Sequence, residues 1–171
     1  MTSHVTVSEP SLADADEFIA AVVESKSVLL PWVDPADSPE RFTGYLRRAA
    51  REDHACYLVR HRDCRALVGF VNINSIVRGG FQSGYLGYGG FASHAGRGLM
   101  SAGVSAVVSA AFAELGLHRV EANIQPNNAR SLALVRRLGF RREGYSPQYL
   151  LVDGQWRDHE RWAMRAEDWV P

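Results

Sequence analysis

The sequence predicts an α+β protein built on one mixed sheet, and three observations carry that prediction. Short stretches with period-two alternation of apolar and polar residues recur along the 171 residues and read as strands. One long stretch, Leu99 to Leu115, instead keeps helical spacing. Between them lies a single strand–turn–helix–strand passage through Gly96-Arg97-Gly98, the kind of crossover that places two strands in parallel within an otherwise hairpin-linked sheet.

In chain order, His4 to Ser8 alternates through Val5 and Val7 and reads as a first strand. Ser11 is positioned to cap a helix to about Glu24, with Asp14, Asp16 and Glu17 in turns where the helix dipole favours carboxylates. Ser25 to Asp37 holds Leu29, Leu30, Pro31, Trp32 and Pro35 and reads as an apolar loop. Ser38-Pro39 opens a second helix, the proline at its first position, running to about Glu52. Ala55–His61 and Arg65–Ile76 read as strands around Arg62-Asp63-Cys64. After the turn at Gly79-Gly80, Gly84 to Phe91 is the next strand, interrupted by Gly89-Gly90, a pair that marks a bulge, a splay or a close approach to the backbone.

The helix after Gly98 sets Met100, Val104, Val107, Val108, Ala111, Phe112 and Leu115 on one face, and Gly116 stands where a C-terminal glycine belongs. Its other face (Ser101, Ala102, Ser105, Ala106, Ser109, Ala113) is small and uncharged, which suits packing on both sides. His118–Ile124 is a strand. Pro126-Asn127-Asn128 leads into a helix through Leu138, and Phe140–Leu151 and Trp156–Met164 are strands around Asp153-Gly154.

Composition narrows the classes of function. Hydrophobic content of 46% with 22% charged residues is that of a globular domain, and residues 1–171 read as one domain. Nineteen basic residues balance nineteen acidic ones, so no global field favours nucleic acid or an anionic membrane. Cys56 and Cys64 are too few for a disulfide framework or structural zinc. Met1-Thr2-Ser3-His4 has neither the charge nor the apolar run of a signal peptide, and no segment reaches membrane-span length, so a cytoplasmic protein is expected.

Gly96-Arg97-Gly98 ahead of a helix leaves backbone N–H groups unshielded at the positive end of the helix dipole, a place for phosphate oxygens. It matches neither the dinucleotide fingerprint nor a P-loop, and by itself is equally a tight turn. Asp158-His159-Glu160 and His118 do not make a metal site, because strand neighbours point to opposite faces. Ser131, His159 and Asp158 lack the Gly-x-Ser-x-Gly elbow of a hydrolase.

Several segments taken in order resemble the GCN5-related N-acetyltransferase superfamily. They are Gly96-Arg97-Gly98-Leu99-Met100, Ala111 to Asn123, Asn128-Ala129-Arg130-Ser131 and Leu138-Gly139-Phe140. Arg142-Glu143-Gly144-Tyr145 and Tyr149 to His159 resemble its branch of ribosomal-protein-alanine N-acetyltransferases. The resemblance implies a central, mostly antiparallel sheet of six to seven strands, splayed in the middle and flanked by about four helices. It implies acetyl-CoA as donor, no metal, and a primary amine as acceptor: a protein N-terminus, or alternatively a small amine such as an antibiotic, polyamine or amino-acid derivative. A non-catalytic CoA-binding or ribosome-associated module, and a monomer or homodimer, are compatible with it.

On that resemblance the donor is held by Phe91, Ala92, Ser93, His94, Ala95, Gly96, Arg97, Gly98, Leu99 and Met100, with Asn123, Asn128, Arg130 and Ser131. Ser93 stands where the family pattern has Gln or Arg, which removes a side chain but leaves the amides. A backbone N–H near Phe91 would polarise the thioester carbonyl, and Ser131 would assist the leaving sulfur; as alternatives, Ser131 satisfies a backbone group and Asn128 is a plain helix cap. Glu121 is the first candidate base or else a structural carboxylate paired with Arg119 or Arg157, and Tyr85 is the second candidate or a pocket wall. Trp32, Tyr85 and Tyr149 would line the acceptor site. The cluster Arg136, Arg137, Arg141 and Arg142 is a solvated face, a contact to the CoA 3′-phosphate, or a contact to ribosomal RNA.

Overall fold

A computed structural model describes residues 4–171; the first three residues of the Met1–His4 stretch lie outside it. The strands are β1 (Val5–Ser8), β2 (Ala55–His61), β3 (Leu67–Val77), β4 (Ser83–Gly90), β5 (Arg119–Ile124), β6 (Arg141–Val152) and β7 (Gln155–Arg165). The helices are α1 (Ala15–Glu24), α2 (Lys26–Leu29), α3 (Pro39–Ala49), α4 (Leu99–Ala113) and α5 (Ala129–Arg137). The strands form one sheet in the order β1-β2-β3-β4-β5-β7-β6. Every neighbouring pair is antiparallel except β4 with β5, the two strands joined through α4.

Local chemistry accounts for the elements. Ser38 accepts the Arg41 N–H at 3.3 Å and Pro39 opens α3. Ser11 and Asp14 close a capping arrangement through the Ser11 N–H, 2.8 Å from the Asp14 carboxylate, around a 3₁₀ turn over Leu12–Asp14, so α1 begins at Ala15 rather than at Ser11. The apolar loop contains one turn of helix, α2, ahead of its prolines.

Two cores lie on opposite faces of the sheet. On one, α4 and α5 cover Val59, Val71, Ile73, Leu86, Val120, Ala122 and Ile124. On the other, α1, α2 and α3 cover Leu58, Leu67 and Phe70 with an aromatic cluster in which Phe18 meets Phe42, Tyr45, Phe70 and Phe91 at centroid distances of 5.2 to 5.8 Å. The expectation that α4 is packed on both sides fails. Val104, Val107, Val108 and Ala111 are buried against the sheet, whereas Ser101, Ser105 and Ala106 stay half-exposed because α4 is the outer layer there. On that face Ser109 accepts a bond from the Trp169 indole at 2.9 Å and Ser101 one from the Arg137 guanidinium at 3.3 Å.

The glycine pair has a packing explanation. A side chain at Gly89 would strike Leu29 and Phe70, each at 2.8 Å, and one at Gly90 would strike Met100 at 2.7 Å. Nearest neighbours on both faces thus press on the backbone of β4 at its C-terminal end.

Candidate active site

The parallel pair β4–β5 runs in register only from Ser83–Arg119 to Leu86–Ala122. Beyond Leu86, β4 keeps its antiparallel pairing to β3 as far as Gly90, but its other edge has no strand partner among the described residues. The sheet is therefore splayed, as the resemblance implies, and the parting begins before the glycine pair. In an antiparallel ladder successive residues turn their N–H and C=O groups to opposite sides. The Phe91 N–H donates to the Val68 carbonyl on β3 at 2.8 Å. By that alternation Gly89 and Gly87 also face β3, while Tyr88 and Gly90 present their backbone groups to the gap.

This narrows the expected oxyanion donor, a backbone N–H near Phe91. The Phe91 N–H is occupied by Val68, and its ring, 1% exposed, belongs to the aromatic core. The Ala92 N–H is taken by the buried Ser25 hydroxyl at 2.9 Å. The free donors at this level are the N–H groups of Tyr88 and Gly90.

The gap opens as a cleft of about 170 Å³ lined by Trp32, Val33, Tyr85, Tyr88, Asn123, Gln125, Asn128, Ser131, Leu150 and His159 among others. Register sorts these by face. Tyr85 pairs Glu121, and Asn123 pairs Arg161, so Tyr85, Glu121, Asn123 and, two residues from Arg161, His159 share the face of α1–α3. Ser131 and Tyr88 come from the face of α4 and α5. The Gln125 amide reaches the Pro31 carbonyl at 3.4 Å and ties the loop carrying Trp32 to the end of β5.

Two buried polar atoms in this cleft, the Tyr88 hydroxyl and the Asn123 Oδ1, lack a hydrogen-bond partner among the described residues. Burial pushes the Tyr88 phenol up to about 12, offset only in part by the nearby Ser131 hydroxyl, which comes close without completing a hydrogen bond. Such orphans cost about 1–3 kcal/mol each and call for a ligand. A chain bearing amides, laid along the open edge of β4, supplies partners for both the orphans and the edge.

At the mouth of the gap a 3₁₀ turn over Ala92–His94 leads to Gly96 and Gly98, at φ +77° and +74°, and then α4. Gly98 is the N-cap and no side chain caps the helix, so its first amides are left for an exogenous acceptor. Ser93, Ala95, Arg97 and Gly98 are exposed; Leu99 is buried beneath the turn and Met100 packs beside it. Arg97 and Arg130 are exposed and hold no ion-pair partner among the described residues.

The remaining expected residues divide clearly. Asn128 caps α5 by accepting the Ser131 N–H at 3.2 Å, which fixes Ser131 at the third helical position with its hydroxyl toward the cleft. Glu121 does not line the cleft. Its carboxylate takes the Arg119 Nε–H at 2.8 Å, and Arg119 also holds Glu143, the arginine pairing of the structural alternative. Tyr149 is 38% exposed and lies beside the cleft, its ring 6.2 Å from that of His159. The arginine cluster is engaged within the chain: Arg136 over the Trp162 ring, Arg137 with Ser101, Arg141 with Asp168 and Arg142 with Glu160. No group of three or more potential metal ligands occurs among the described residues.

Sequence reasoning missed Tyr88 and missed His159 as a cleft residue. Tyr88 immediately precedes the glycine break, a signal that was available. Which face His159 takes depends on strand register, which the sequence does not carry.

A sheet that parts at a parallel pair, with free backbone groups along one edge and a glycine turn at a bare helix N-terminus, is the frame of a transferase that takes a long donor ending in phosphates. The acetyltransferase (GNAT) domain matches residues 4–141. The [ribosomal protein uS5]-alanine N-acetyltransferase of Escherichia coli (strain K12) is 35% identical over 156 residues, 86% of this chain and 80% of that protein. Mycobacterium smegmatis RimJ in complex with CoA-disulfide superposes with a TM-score of 0.86 at 28% identity, over 95% of this chain and 82% of that one. Spermidine N-acetyltransferase from Vibrio cholerae, in complex with CoA and spermine, shares the fold, with a TM-score of 0.81 at 16% identity over 98% of both chains. The chain belongs to the GNAT acetyltransferase family. It is an N-acetyltransferase, and its donor is acetyl-CoA.

A β-branched valine at Gly98 would be strained by the positive φ and would put a side chain over the amides that the glycine leaves bare. Gly98→Val is expected to weaken acetyl-CoA binding at least tenfold, about 1.4 kcal/mol, measured by isothermal titration. An unchanged dissociation constant in the folded variant would show that the turn does not hold phosphate.

Proposed function

We propose that the protein acetylates the N-terminal α-amine of a protein, one beginning with alanine or serine, a ribosomal protein foremost. The observation that carries this reading is the lining of the cleft: aromatic, aliphatic and neutral polar groups with no carboxylate among the described residues. A polyamine keeps several charges after one nitrogen is deprotonated, and each would enter such a cleft without a counter-ion. A protein N-terminus brings a single amine. With a pKa near 8, it is roughly a tenth to a quarter neutral at physiological pH, against about 0.1% for a lysine. The 35% identity to an alanine N-acetyltransferase supports the same choice.

In this reading the donor's amide-bearing arm lies along Tyr88 and Gly90, with Asn123 completing its hydrogen bonds, and its phosphates meet the Gly96–Gly98 amides with Arg97 and Arg130 alongside. The amine enters from the face of Tyr85 and Trp32 and attacks the carbonyl directly. The carbonyl oxygen gathers negative charge and is met by the N–H groups that face the gap. Ser131, across the gap, donates to the departing sulfur.

A panel assay tests it. Peptides beginning with alanine or serine should be acetylated with kcat/KM at least about 100-fold above spermidine or free lysine, a separation of some 2.7 kcal/mol. Equal or better turnover of a polyamine would overturn the assignment.

A further inference from the structure

His159 is 3% exposed, yet it lines the cleft between β4 and β5. Its Nδ1 lies 2.9 Å from the Arg157 carbonyl oxygen. A carbonyl only accepts, so Nδ1 carries the hydrogen and the second nitrogen, Nε2, keeps its lone pair. Nε2 has no hydrogen-bond partner among the described residues and is not sealed from the cleft. The ring is therefore held in one tautomer with its basic atom presented to the space where the amine would arrive.

We propose that His159 is the general base, its Nε2 receiving the proton of the acceptor amine; this rests on the acetyl-transfer reading above. The register places His159 on the acceptor face with Tyr85 and Asn123, while Ser131 stands on the other side of the gap. Base and sulfur partner thus flank the reacting carbon from opposite faces. The N–C bond forms and the C–S bond breaks, its electron pair passing to sulfur. The ammonium first gives one proton to Nε2, which frees the lone pair that attacks, and the nitrogen's second surplus proton leaves to water as the amide forms. The thiolate, hydrogen-bonded by Ser131, takes a proton from water, and the imidazolium returns one to water, so nothing further is consumed.

The surroundings keep the imidazole neutral. Burial is the leading influence and lowers its pKa; the Arg157 carbonyl and Asp158 pull the other way. Asp158 sits on the opposite face of β7, held by the Tyr145 hydroxyl and by the Gln148 N–H at 2.8 Å. Facing His159, its own strand presents Arg157 and Arg161, β6 presents Ser146 and the Tyr149 ring, β5 presents Asn123, β4 presents Tyr85, and the apolar loop presents Trp32. None of these carries a negative charge, so no carboxylate on that face offsets the effect of burial. Glu121, the carboxylate first considered, is tied to Arg119 outside the cleft.

His159→Gln tests this with an alanine-starting peptide as acceptor. The variant should lose about 10²-fold or more in kcat with acetyl-CoA affinity unchanged. Its deficit should shrink as pH rises past the amine pKa, where the nucleophile is neutral unaided, whereas Glu121→Gln should track the wild type at every pH. A His159→Gln deficit of equal size across the pH range, or none, would overturn the proposal. Nitrogen-15 NMR of the wild-type imidazole decides the matter even where the variant does not fold: a neutral Nδ1–H tautomer at pH 7 is expected, and an Nε2–H tautomer or an imidazolium refutes it. A wild type that binds acetyl-CoA but acetylates no amine would count against the acceptor reading instead.

Discussion

Ser131→Ala is expected to lower kcat by about 10²–10⁴-fold while leaving the dissociation constant of acetyl-CoA within twofold. The separation follows from where the hydroxyl acts. A hydrogen bond to sulfur gains strength only as the C–S bond breaks, so its loss appears in the transition state and not in donor binding. Alanine keeps the backbone N–H that Asn128 accepts at 3.2 Å, so the helix cap survives and the fold is not the variable. Stopped-flow single turnover with pre-bound donor measures the step directly. If kcat stays within threefold and Tyr88→Phe takes the loss instead, the group that hydrogen-bonds the sulfur is the buried phenol beside it.

Phe18→Ala should be the most destabilising single change in the second core. Phe18 is 1% exposed and touches four other rings, so truncation removes a large apolar group and leaves a cavity that no neighbour can fill without moving. Such truncations cost about 3–5 kcal/mol, which for a domain of this size lowers Tm by roughly 10 °C. The loss reaches the site as well, because Phe91 packs edge-on against Phe18 and directly follows the strand that borders the gap. Acetyl-CoA affinity should fall alongside Tm in calorimetry and titration. A Tm within 2 °C of wild type would show that the cluster is not the keystone of that face.

The sequence disclosed the order of the elements because each strand and helix carries its own period, and because turns at Gly79-Gly80, Gly116 and Asp153-Gly154 punctuate them. It disclosed the glycine turn at Gly96–Gly98 because glycine at positive φ has a local cause. What it withheld depends on non-local pairing. The use of the Phe91 and Ala92 amides follows from Val68 and Ser25, 23 and 67 residues away by subtraction of their numbers. The engagement of Glu121 follows from which side of β5 Arg119 turns. His159 was rightly separated from its neighbours by strand alternation, but alternation alone does not say which of two faces is the cleft. The one-turn α2 is too short to leave a periodic trace.

The sheet is a partition with one doorway. In the proposed reading, donor-side contacts come from α4, α5 and the glycine turn, whereas the acceptor meets the Trp32 loop, Tyr85 and the β6–β7 hairpin on the other side. Few residues, Tyr88 and Asn123 chief among them, serve both compartments. A lineage can therefore rewrite the loop and the hairpin, and so redirect the enzyme to a new amine, without disturbing the machinery that holds and cleaves the thioester. Grafting residues 30–36 from a relative with a different acceptor should change which amine is chosen and leave donor affinity where it was.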